Sequence, residues 1–203
     1  MKTTGTMLLA ILLILGFAVT SFAAIAGTAH DLSGGGYGSD QICVFCHTPH
    51  NADATVEPLW NATLTTSTFT PYTSSTFDGA ATMDADPAIG PSRLCMSCHD
   101  GTVGIDSAVG GTTIIDPGGA LLGTDLTNDH PIGFNYDAAQ GIDAELQPST
   151  AALGSGLISD HLFGANNIMT CATCHDVHGV TGVSSFLLET NAGSALCLKC
   201  HIK

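Results

Sequence analysis

CVFCH at residues 43–47, CMSCH at 95–99, CATCH at 171–175 and CLKCH at 197–201 decide how this chain folds. All eight cysteines lie in these four Cys-x-x-Cys pairs, and a histidine follows each pair at once. Two intervening residues let a single helical turn present both sulfurs to one edge of a haem, where the thiols add across the vinyl groups to form thioethers. The next residue then points its imidazole at the iron. This is the c-type haem attachment signal. It assigns covalent haem c to Cys43/Cys46, Cys95/Cys98, Cys171/Cys174 and Cys197/Cys200, four per chain, with His47, His99, His175 and His201 as proximal ligands. A disulfide framework or a pair of zinc ribbons leaves the four following histidines unexplained. A thioredoxin-like site needs one such pair on an α/β domain, not four in a Gly-rich chain.

Outward from the motifs, the composition is poor for an ordinary core. The chain has 203 residues, 24 of them Gly, with aromatics at 6% and charged residues at 11%. So little apolar area would struggle to offset the ordering entropy. Four porphyrins would fill the centre and make folding depend on their attachment. Met1–Ala24 reads as a secretory signal peptide: Lys2 gives the positive start, Met7 to Val19 the apolar run, and small residues set cleavage between 23 and 26. Residues 25–203 are then one tetrahaem domain, exported to the extracellular space or, alternatively, the periplasm. Beyond the signal only Arg93, Lys199 and Lys203 are basic, against 18 Asp and Glu. That balance excludes a nucleic-acid partner, which requires cationic side chains to neutralise phosphates, and suits a soluble exported protein.

Of nine histidines, five are not proximal ligands: His30, His50, His130, His161 and His178. Four irons need four further ligands. Met83, Met96 and Met169 are the only methionines of the mature chain, and Met96 faces away from its own motif. Bis-His ligation is therefore the economical solution, with closed irons and low potentials. His50 and His178 each lie three residues past a proximal ligand. Neither can wrap around its own porphyrin, but each can reach a neighbouring iron. His30 can fold back through Gly34–Gly36. His130 sits in NDHPIGFNY and His161 in SDHLFG. All five stay open as distal candidates.

The expected fold is mostly coil with short α-helices and few strands, wrapped around a chain of four haems. The motifs imply one-turn helices. Asp143 to Leu153 and Ser194 to Ile202 are expected to be helical, and Val103 to Ile115 to form a short hairpin. Asn61 to Thr82 is dense in Thr and Ser and reads as loop or irregular strand. Its Asn61-Ala62-Thr63 is a weak glycosylation sequon. No phosphate loop, catalytic triad or paired-carboxylate site stands out. An electron-transfer protein, not an enzyme, is expected. A multihaem reductase would need an open iron with acid groups nearby.

The strings CVFCHTPHNA, PLWN, YTSSTFDG, LCMSCHDGTVG, NDHPIGF and CATCHDVHG together resemble the extracellular tetrahaem cytochromes of metal-reducing bacteria that polymerise into conductive nanowires. The resemblance spans nearly the whole mature chain. It implies a largely coil fold, an unbroken haem chain and bis-His iron, with one axial histidine donated across the subunit interface. That donor would be His50, the second histidine of the first CxxCHxxH motif, while His30, His130 and His178 serve within the subunit. The implied partners are further copies of the chain, other cytochromes and extracellular electron acceptors. His161 departs from the pattern as a spare, ranked last as a distal ligand.

Overall fold

A computed structural model describes residues 25–53, 56, 59–116, 118, 120–179 and 181–202. The expected signal peptide, Met1–Ala24, lies outside the described residues. The described chain is mostly coil, as expected, with three short α-helices and one two-stranded sheet. Helix α1 spans Pro91–His99, α2 Tyr136–Gln140 and α3 Cys197–Cys200. Strands β1 (Ala152–Leu153) and β2 (Gly156–Leu157) pair antiparallel, Ala152 opposite Leu157.

Helix α1 forms because Pro91 presets its first turn and Gly90, at φ 51, lets the chain enter it. A Cβ at Gly90 would meet the Phe163 ring at 2.5 Å, so only glycine fits. Helix α2 is capped by Asn135, whose side chain accepts from the Ala138 amide at 2.7 Å. The other motifs form single 3-10 or α turns, as their spacing predicts. His47, His175 and His201 each donate a backbone N–H to the carbonyl of the first cysteine, at 2.8, 3.1 and 2.9 Å.

Two expected elements differ. Asp143 to Leu153 is not a helix. Asp143 Oδ1 instead accepts from the Glu145 amide at 2.8 Å, a side-chain turn that competes with helix formation, and Pro148 blocks a helix through the second half of the segment. The segment runs along the C-terminus, with Gln147 N donating to Cys200 O at 2.8 Å and Ile202 N to Glu145 O at 2.6 Å. Val103 to Ile115 reverses direction without a strand ladder. Ile105 N donates to Thr113 O at 2.8 Å, and the rest of the loop closes on Asp106. Asp106 is buried and accepts from Thr113 N at 2.9 Å and Thr113 Oγ1 at 2.7 Å. Of the Ser194 to Ile202 stretch only α3 is α-helical, because His201 turns extended to bridge Leu146.

Most of the described buried apolar residues form two small clusters, with Phe45, Trp60 and Ala62 buried outside them. One holds Phe134, Tyr136, Ala139, Leu153, Ile158 and Met169; the other holds Phe69, Ala88, Met96 and Leu126. Met96 and Met169 are thus packing residues. Beside the second cluster, Arg93 donates to Ser67 O at 3.2 Å and Thr65 O at 3.4 Å, pairs with Asp86, and lies 5.3 Å above the Phe69 ring. The planar fork makes these contacts together, which an ammonium does not. Arg93→Lys is expected to cost about 2 kcal/mol, read as a lower thermal midpoint of the haem-loaded protein. An unchanged midpoint would show the fork to be dispensable.

Asp106 gives a pH dependence. Burial pushes its carboxyl up, but the hydroxyl and amide of Thr113 outweigh this and hold it below the ordinary range. Its stabilisation is present above the unfolded value of about 3.9 and disappears as pH falls through the folded value. Asp106→Asn should therefore destabilise the protein by about 1–3 kcal/mol at neutral pH and flatten the loss of stability on acidification. Denaturation at stepped pH checks both.

Candidate functional site

None of the eight cysteines is in a disulfide. Motif meets motif in chain order. Burial and then neighbouring Cys46 push the Cys98 thiol up to about 11. The neighbouring Cys95 and Cys171 thiols perturb each other, raising Cys95 and lowering Cys171. Burial and then neighbouring Cys200 push Cys174 up to about 11. The 3-10 turn Ile42–Phe45 packs on the Ser107–Val109 turn beyond the second motif. Helix α1 packs on the Cys171–Thr173 turn, where Cys171 N donates to Ser92 Oγ at 3.0 Å. The second and third motifs are thereby packed against each other.

The histidines supply a test of whether haem fits. A metal–imidazole bond of about 2 Å, plus about 1.2 Å to the ring centre, places two trans imidazole centroids about 6.4 Å apart. His47 and His178 stand 6.2 Å apart, nearly parallel at 16°. His30 and His99 stand 6.1 Å apart at 55°. His130 and His201 stand 6.4 Å apart at 68°. Each pair unites one motif histidine with one of the five others, at the spacing that one iron between them requires. The donor set fits haem.

The outer nitrogens agree. His99 Nδ1 lies 2.6 Å from Ala120 O, His175 Nδ1 2.8 Å from Ser185 O and His130 Nδ1 3.0 Å from Pro131 O. A carbonyl only accepts, so each Nδ1 carries the proton and each Nε2 is left to bind metal. Burial, with His99 and His175 beside it, pushes the His30 imidazole below its ordinary value. Burial also lowers His130; the Pro131 carbonyl opposes this and His201 adds to it. Both stay neutral at physiological pH, as ligation demands.

His175, unlike the other three motif histidines, is paired with no second imidazole in this way among the described residues. It borders an open cleft of about 540 Å³ that also involves Gly154, Ser155, His161, Ala172 and Leu188. His161 shares the cleft but is oriented differently. Its Nε2 is 3.2 Å from Leu153 O, so the nitrogen that the other histidines leave free is here the one in use. His50 is exposed and makes no hydrogen bond or ring contact among the described residues. The sequence supplied the candidates for distal ligation; which one faces which motif depends on long-range contacts with no local signature.

Residues 165–203, the third and fourth motifs, match the family model described as the doubled CXXCH motif. No curated protein matches the chain. A doubled CXXCH motif indicates a multihaem c-type cytochrome, holding haem covalently for electron transfer.

Proposed function

We propose that the chain carries four haems and is the protomer of an extracellular filament that conducts electrons to an external acceptor. His47, His99, His175 and His201 are the proximal ligands. His178, His30 and His130 close the first, second and fourth irons, and His50 of a neighbouring copy closes the third. One asymmetry supports this assignment most. Three motif histidines face a second imidazole at 6.1–6.4 Å, whereas His175 borders a cleft and His50 stands exposed.

When bound, haem iron supplies reversible one-electron chemistry. The chain's own residues do the rest. Packing of helix α1 on the Cys171–Thr173 turn, with Cys171 N donating to Ser92 Oγ, keeps the second and third attachment points close. The carbonyls of Ala120, Ser185 and Pro131 hold the ring nitrogens and raise imidazole basicity, which favours oxidised iron and a low potential. Paired imidazoles deny small substrates an open coordination position, which a reductase requires.

A monomeric periplasmic shuttle is the second reading, favoured by the presence of His161 in the His175 cleft. Closing the third iron from within would require its ring to leave the Leu153 carbonyl. Mass spectrometry and electron microscopy of the exported protein test these readings. Four haem additions and filaments are expected. Monodisperse single protomers would overturn the polymer, and fewer than four additions the haem count.

A further inference from the structure

We propose that Ser185–Phe186 is a positioning segment shared by two neighbouring iron sites, fixing His30 at one and His175 at the other. This rests on the bis-His reading above. The Phe186 ring stacks on His30, with centroids 4.6 Å apart and planes 18° from parallel. One residue earlier, the Ser185 carbonyl accepts from His175 Nδ1 at 2.8 Å. His30 faces His99 of the second motif, and His175 belongs to the third. Two adjacent residues thus touch axial histidines of two different irons.

The backbone supports a special role. Ser185 and Phe186 both have φ 58, the left-handed region that residues with a Cβ rarely occupy. Such strain persists only where the surroundings fix it. Here the third motif does so: Asp176 N donates to Phe186 O at 2.7 Å, and Leu188 N to Cys174 O at 2.9 Å. The segment is laced to the third motif on one side while its ring presses on His30. A shift of either residue moves the stacking surface and the carbonyl together. The carbonyl tunes the basicity of His175, and the stack sets the rotation of the His30 ring. Both properties govern iron potential and spectrum.

The test compares Phe186→Leu, Phe186→Tyr and Ser185→Val in the full haem-loaded protein, by electron paramagnetic resonance and redox titration. Phe186→Leu is expected to shift the low-spin signals and midpoint potentials of two of the four irons together, with the His175 iron moving upward. Phe186→Tyr keeps the stack and should restore the native values. Ser185→Val disfavours φ 58 without removing the ring and should move the same two irons; it decides the matter if Phe186→Leu does not fold. Movement of one iron alone, or of none, overturns the shared segment. A native protein without four low-spin irons would instead overturn the bis-His reading.

Discussion

Replacing all eight cysteines by serine is expected to leave a chain with no cooperative unfolding transition. The apolar core explains the size of this effect. Among the described residues its two clusters hold ten buried residues, two of them alanines, with Phe45, Trp60 and Ala62 buried outside them. Among the described residues the helices are too short to be stable alone, the longest being Pro91–His99, and the one sheet pairs two residues with two. Backbone ordering costs about 1–2 kcal/mol per residue, and burial of this extent does not offset it. Thioether-linked porphyrins add large apolar surfaces against which the coil can bury side chains, and they cross-link segments far apart in sequence. Circular dichroism and heat capacity of the serine variant, compared with the haem-loaded chain, provide the check. A sharp calorimetric transition in the serine variant would show that the polypeptide carries its own core.

Much of the site was legible because its chemistry is local. A cysteine, two residues, a second cysteine and a histidine specify one turn, and all four turns formed. The sparse core and mostly coil fold were legible for the same reason, in the excess of Gly and the shortage of aromatics. The misread Asp143 to Leu153 helix shows where local reading stops. Its composition tolerates helix, but bonds from Glu145 and Gln147 to the extended C-terminal residues override that tolerance. The pairing of histidine rings was the least legible feature. His178 meets His47, and His30 meets His99, across long stretches of chain. Counting histidines limits the choice to five without ordering them. The orientation of His161, with Nε2 turned to Leu153 O, has no sequence counterpart.

His50→Ala is expected to abolish filaments while leaving four haems attached. Attachment depends on the cysteines and proximal histidines, which this variant keeps. Three irons retain their in-chain partners, so only the iron at His175 should change, turning high-spin or capturing His161. The interface should suffer far more. Buried anchors at protein interfaces carry about 2–4 kcal/mol or more, so the concentration needed for assembly should rise by about 30- to 1,000-fold. Charge makes the anchor more important. Without the signal peptide and its Lys2, three basic residues face 18 acidic ones, a formal charge of −15 per copy, so copies repel one another, most strongly at low ionic strength. A ligand bond to iron is not screened away by salt, whereas the repulsion is. Native filaments should therefore survive dilution into low salt, and any residual assembly of His50→Ala should appear only at high salt. Electron microscopy across an ionic-strength series reads this directly. Filaments of normal abundance in the variant at low salt would exclude His50 as the donor, and His161→Ala would then show whether the third iron is closed from within.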